Sequence, residues 1–203
     1  MCSSDLLAGG SRLLPLALSA LRQRRPRIDV TVGTGPRDQV LTAVARGGHD
    51  LGLTDGLAAR GDPLPEFAAL TAVGVSQAGV AVVLPPDHPL AGRAGLRLTD
   101  LADARWIEAP DVASPLAEIR RLAGVEGFRP AFRYDGPDTL SLIRLAAAGH
   151  GLVLLPETAL PVTGITAVPV TTPRVVHRVE LAHGTLRAGS PAAELASLLA
   201  DPA

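Results

Sequence analysis

Groups able to hold a small anion recur at the starts of predicted helices in this chain. The first N–H groups of a helix lack partners within it and the dipole is positive there, so such a tip accepts a carboxylate or phosphate. Gly9, Gly10 and Ser11 precede one predicted helix; the Ser11 hydroxyl and nearby amides can grip a carboxylate, or Ser11 can act as a plain N-cap. Gly33-Thr34-Gly35-Pro36 precede a second helix, as a ligand loop or as a tight turn. Thr54 and Asp55 follow a predicted strand at its C-terminal end, where ligands collect in parallel sheets, or they merely begin a loop. Pro110-Asp111-Val112-Ala113-Ser114 lead into another helix, with Ser114 a good cap ahead of Pro115.

The stretch from Asp135 to Pro156 is the richest. Asp135 or Asp138 can cap a helix, Pro137 suits its first turn, and Thr139 sits within or beside it. Gly149 falls where a helix ends with positive φ, and Gly151 to Leu155 form an apolar run of the kind parallel sheets require. Asp135 would repel an anionic ligand unless protonated or paired. His150, between two glycines, reads either as a pH-sensitive contact or as an exposed loop imidazole. This is ligand-holding chemistry rather than bond-breaking chemistry.

Catalytic patterns are missing. There is no Gly-x-Ser-x-Gly elbow, no His-Glu-x-x-His, no dinucleotide fingerprint and no cysteine nucleophile, so the chain is not expected to be an enzyme. All 19 basic residues are arginine, which removes Schiff-base chemistry and a phosphate-loop lysine. Cys2 is the sole cysteine, and the five histidines lack metal-ligand spacing, so neither metal nor cofactor is expected. A net charge of −1 and 2% aromatics give no footprint for nucleic acid or an anionic membrane. The one basic run, Arg22, Arg24, Arg25 and Arg27, reads as nucleic-acid binding or, preferably, as a solvated helix end that complements the dipole. Trp106 reads as core.

The elements that must position these groups alternate. A helix over Ser11–Arg25, a strand at Ile28–Val32, a helix over Arg37–Arg46 and a strand at Asp50–Thr54 predict parallel strands with helices on both faces. Two apolar runs, Phe67–Val73 and Gly79–Leu84, read as one long bent strand that leaves a first lobe and enters a second. Strands at Trp106–Glu108 and Ala131–Tyr134, a helix over Ser114–Ala123, and the Asp135–Pro156 unit then follow. Thr163–Val170 and Val175–Leu181 return to the first lobe, and a helix over Ala192–Leu199 closes it. The fold expected is α/β: two Rossmann-like lobes joined by two hinge crossings, of the type 2 periplasmic-binding-protein kind. Lobe I covers residues 7–75 plus 166–203 and lobe II residues 76–165.

In order and spacing, Leu13-Leu14-Pro15, Arg25-Pro26-Arg27-Ile28-Asp29-Val30, Gly48-His49-Asp50-Leu51-Gly52-Leu53, Val83-Leu84-Pro85-Pro86-Asp87-His88-Pro89-Leu90 and Ala147 to Pro156 form a pattern. On those residues the chain resembles the effector-binding (substrate-binding) domain of LysR-type transcriptional regulators, from about Leu7 to Leu199. The resemblance implies a ligand-sensing domain whose winged helix-turn-helix is absent here. Its effector would be a small carboxylate or aromatic acid, its DNA contact only through the missing N-terminal part, and its full-length form a homodimer or homotetramer. It further implies that Ser11 and the loop Pro110 to Ser114 touch the effector, and that His150 stands where relatives carry an apolar residue. A stand-alone solute-binding protein of similar bilobal fold is the competing reading. Residues 1–6 resemble a translated sequencing adapter and are set aside as a doubtful leader; no secretion signal or membrane span is read, and a cytoplasmic location is expected.

Overall fold

A computed structural model of the chain describes residues 2–3, 13–67, 69–160 and 164–201. In chain order the elements begin β1 (Cys2–Ser3), α1 (Leu13–Arg24), α2 (Arg37–Ala45), β2 (Leu51–Ala59) and β3 (Thr71–Leu84). There follow β4 (Leu96–Arg97), β5 (Trp106–Glu108), α3 (Leu116–Ala123), β6 (Pro130–Arg133), α4 (Thr139–Ala147) and β7 (Val153–Pro156). The last are β8 (Thr166–Thr172), β9 (Val175–His183) and α5 (Pro191–Ala200).

These elements form two compact α/β units, the two-lobed organisation expected. Unit 1 comprises Met1–Gly56, Pro63–Gln77 and Arg178–Ala203; unit 2 comprises Leu57–Asp62 and Ala78–His177. The chain leaves unit 1 within β3 and returns within β9, and before that it makes a short excursion through Leu57–Asp62. The return falls later than the expected 165/166 boundary. Thr166–Pro169 instead pair antiparallel with Ala81–Leu84, which keeps β8 in unit 2.

In unit 1, Ala17 and Leu21 of α1 join Leu51, Leu53, Val179, Leu181, Leu195 and Leu199 in one apolar core. Arg25 ties α1 to α5 through Glu194, Nε to Oε2 at 2.6 Å, with Arg24 at 3.5 Å. Much of the basic run is therefore held at the protein's own surface. Helix α2 buries Val40, Leu41 and Val44. It lies so close to β2 that a Cβ on Gly52 would sit 2.8 Å from Val40 Cγ1, which is why that strand position carries no side chain. Cys2 and Ser3, set aside above as leader, pair in parallel with Gly52 and Leu53. Among the described residues no ladder forms at Ile28–Val32, and Gly33 just after it makes a single bridge; Ile28 and Val30 pack on the unit 1 core while Val32 is exposed.

In unit 2 the core gathers Val80, Val82 and Leu84 of β3 with Leu98, Leu101, Trp106, Leu116, Ile119, Phe128 and Leu154. Trp106 is fully buried, its Nε1 donates to the Leu101 carbonyl at 2.9 Å, and its ring lies 5.3 Å from that of Phe128. β5 and β6 are parallel. β7 was expected in a parallel setting, but it pairs antiparallel with Val80–Val83 of β3 and only Leu152, just ahead of it, bridges Trp106 in parallel. Burial on both faces requires the apolar run; it does not dictate strand direction. Gly149, with φ +85°, ends α4 in the left-handed region as expected.

Candidate functional site

Each unit brings some of the expected residues together. In unit 2, Glu108 of β5 stands opposite Arg133 of β6, so the loops leaving these parallel strands emerge at the same end of the sheet. Tyr134 laces them: its N–H donates to the Glu108 carbonyl at 2.9 Å and its hydroxyl to the Asp138 carbonyl at 3.2 Å. Pro110, Asp111 and Ser114 lie on one loop, and Asp135 and Thr139 on the other or at its end. Pro110, Asp111 and Asp135 are exposed; Ser114 and Thr139 are half-buried.

His150 is not with them. Leu152 runs parallel to the first residue of β5, which sets His150 off the opposite, N-terminal end of the strands. Its N–H donates to the Leu145 carbonyl at 3.2 Å, and its exposed ring stands 6.4 Å from that of Phe132.

The two helix tips at the loop end are already supplied with carboxylates. At α4, Asp138 is the N-cap: Leu140 N–H donates to Oδ1 at 3.1 Å and Ser141 N–H to Oδ2 at 3.0 Å, while the Ser141 hydroxyl also donates to Oδ2. Pro137 lies just before the cap, not in the first turn. Donation from the Ser141 hydroxyl, then from its N–H, holds the Asp138 carboxyl below the usual aspartate range, aided by Leu140 N–H and the Arg144 charge and opposed by desolvation. Asp135 is paired, with Arg133 Nε donating at 2.8 and 3.1 Å. At α3 the cap is Pro115, in an extended conformation, so Ser114 is one residue too early to cap and does not. Glu108 reaches in instead, accepting from Leu116 N–H at 3.4 Å.

In unit 1, Gly33 and Thr34 precede α2 as expected. The short turn between α2 and β2 reverses the chain, so the start of α2 and the Thr54–Asp55 part of β2 lie toward one end of the unit. β2 runs on to Ala59, which places Thr54 and Asp55 in mid-strand; Thr54 is 1% exposed and Asp55 half-buried. The α2 tip has no side-chain cap, because Pro36 occupies the N-cap position. Arg37 follows directly. Its Nη2 donates to the Pro65 carbonyl at 2.9 Å, and its Nε is buried without a hydrogen-bond partner among the described residues. Gly10 and Ser11 lie outside the described residues.

Sequence reasoning therefore missed Glu108 and Arg37. A carboxylate ending a strand just before a helix-entry loop, and an arginine directly after the proline that opens a helix, are the patterns that could have found them. Among the described residues no group of three or more His, Cys, Asp or Glu could hold a metal ion, and no helix is long and apolar enough to cross a membrane.

Each of the two α/β units gathers helix tips and loops at one end of its strands, the place where open α/β sheets collect ligands. The chain belongs to the LysR substrate binding domain family, whose model matches residues 4–197. Among curated proteins it is 27% identical over 174 residues to a "probable hydrogen peroxide-inducible genes activator" of Mycobacterium avium, covering 79% of this chain and 53% of that protein. It is 25% identical over 187 residues to "transcriptional dual regulator GltC" of Bacillus subtilis (strain 168), covering 90% and 60%. The chain thus spans little more than half the length of these relatives. Its fold is that of the "BenM effector binding domain with its effector benzoate", with a TM-score of 0.74 at 19% identity, covering 98% of this chain and 88% of that one. It likewise matches the oxidized form of OxyR, with a TM-score of 0.69 at 21% identity, covering 98% and 90%.

Proposed function

We propose that this chain is the ligand-sensing part of a LysR-type transcriptional regulator, binding a small carboxylate or aromatic acid. The observation that carries this reading is the family match over residues 4–197, from one end of the two-unit fold to the other. It favours a regulator's sensing domain over a stand-alone solute-binding protein, since the matched relatives are named as transcriptional regulators. Three further points support an acidic effector. The α2 tip has no side-chain cap, the Arg37 guanidinium beside it keeps a buried donor without an acceptor among the described residues, and a protein of the same fold is titled with benzoate as its effector. Gly10, Ser11, Gly33, Thr34, Thr54 and Asp55 in unit 1, and Pro110, Asp111, Ser114, Asp135, Thr139 and His150 in unit 2, are the proposed effector-binding set, with His150 off the N-terminal end of the unit 2 strands. In this reading DNA is bound by a part of the regulator outside this chain, the full protein is a cytoplasmic homodimer or homotetramer, and the domain catalyses no reaction.

A thermal-denaturation screen over small carboxylates and aromatic acids tests it. A ligand at ~100 times its Kd should stabilise the protein by about 2.7 kcal/mol. For a chain of this length that is a rise in Tm of roughly 5–10 °C. A panel spanning aliphatic, aromatic and hydroxy acids that leaves the transition unmoved refutes the acidic-effector reading.

A further inference from the structure

The first half of β3 has an open edge. β7 and β8 occupy both edges of Ala81–Val83, so β9, the remaining neighbour of β3, pairs with its earlier part. Among the described residues the other edge of Thr71–Gln77 has no strand beside it. Thr71 to Gly74 are all exposed, which leaves both faces of the strand open there as well. From Leu70 to Leu84 the chain carries no charge and no proline, the two commonest devices that keep an open edge from pairing.

One charged group stands over this edge, and it is fixed. Arg178 reaches across from β9 over Gly74, where a Cβ would lie 2.6 Å from its Nη2, 3.1 Å from its Cζ and 3.6 Å from its Nε. The Nη end therefore lies farthest over β3, in room that only glycine leaves. Its Nε donates to the buried Glu180 carboxylate at 2.6 Å, which holds the guanidinium in place. Among the described residues nothing accepts from the Nη groups, and the side chain is 21% exposed.

We propose that Thr71–Gln77 is a docking edge for an extended acidic segment, which adds a strand to unit 1 and sets a carboxylate against Arg178 above Gly74. Backbone hydrogen bonds along the edge supply the affinity, and the guanidinium selects the charge. A second copy of this strand suits the edge less well. It brings no carboxylate, and two-fold pairing about Gly74 would set two Arg178 side chains next to each other. The proposal is independent of the acidic-effector reading, which concerns other residues.

The test pans a random nonapeptide display library against the chain, then titrates the most enriched peptide, with capped ends, while amide hydrogen exchange is followed. Enriched peptides should carry Asp or Glu at one fixed position among β-branched neighbours. On binding, alternate amides within Thr71–Gln77 should slow by at least about tenfold. Replacing the acid of the peptide by its amide should weaken binding to wild type about fivefold. The same replacement should change little in Arg178→Gln, or in Gly74→Ala, whose Cβ displaces the guanidinium. Gly74→Ala keeps both charges of the Arg178–Glu180 pair and carries the comparison if Arg178→Gln does not fold. The proposal is overturned by a library without an enriched sequence, by protection that falls outside Thr71–Gln77, or by an acid-to-amide effect equal in wild type and variants. Protection of these amides that rises with protein concentration alone also overturns it, since the occupant would then be a second copy.

Discussion

Removing Glu180 tests how unit 1 is held around the strand that re-enters it. Glu180 is 3% exposed on β9, and its Oε1 accepts from Arg178 Nε at 2.6 Å and from the Leu64 N–H at 3.0 Å. Arg178 and Glu180 are two apart on one strand and so project from the same face, while Leu64 belongs to the segment by which the chain re-enters unit 1. Glu180→Ala strands a buried amide and a largely buried guanidinium. Breaking a buried pair in this way costs about 3–5 kcal/mol. That is a large share of the roughly 5–15 kcal/mol that holds a domain folded. At roughly 2–4 °C per kcal/mol for a chain of this size, Tm should fall by about 6–20 °C in differential scanning calorimetry. Glu180→Gln retains an acceptor for Leu64 and loses only the charge, so it should cost about 1 kcal/mol, the gap between charged and neutral hydrogen bonds. Replacing both partners, Glu180→Leu with Arg178→Met, should recover part of the loss, because the unpaired guanidinium leaves the interior while the Leu64 amide still lacks its acceptor. A Glu180→Ala protein within about 0.5 kcal/mol of wild type, the ordinary surface range, would show that the pair does not hold this segment. A double variant as unstable as the single would point to lost packing instead.

Two more outcomes follow. Gly52→Ala should destabilise by about 1–3 kcal/mol in urea titration, because its Cβ would meet Val40 Cγ1 at 2.8 Å and Val44 Cγ2 at 3.0 Å; adding Val40→Ala should relieve part of that loss. The link between α1 and α5 should weaken in acid: the Arg25 hydrogen bond, opposed by desolvation and helped by the Arg25 and Arg24 charges, holds Glu194 below its ordinary value of 4.5. Its contribution is therefore complete above that value and fades as pH falls through the depressed native one, and a Glu194→Gln protein should lose less stability than wild type over the same acid titration.

Most of the fold could be read from residue patterns because the apolar runs are long and their stops chemically distinct. Leu116, Ile119 and Leu122 in α3, and Leu142, Ile143 and Ala146 in α4, repeat at helical spacing and are buried or partly buried. Strand direction was less legible. Val153-Leu154-Leu155 is as apolar in its antiparallel setting as a parallel strand would be, so composition could not separate the two. The unit boundary near 177 lies beyond the expected one because β8 pairs with β3 through Thr166–Pro169 and with β4 through Val170 and Thr172, partners that residue pattern does not reveal. Within the proposed site, helix starts were visible but their occupants were not. Ser114 looks like a cap in sequence, yet the backbone at Pro115 takes the cap position, and Glu108 from the preceding strand fills the gap across eight residues of chain.

That last substitution bears on how a ligand-holding helix tip is recognised at all. A tip is attractive to an anion only to the extent that its own chain has not already supplied one, and capping carboxylates are the commonest way of supplying one. Here α4 is supplied fully by Asp138 and α3 weakly, at 3.4 Å, by Glu108, while α2 has no side-chain cap and carries Arg37 beside it. The three tips therefore rank by vacancy: α2 first, α3 next and α4 last. A small acid that obeys this ranking seats its carboxylate at the α2 tip and not at the α4 tip, and one found on the α4 amides would mean that cap occupancy does not govern where charge settles in this fold.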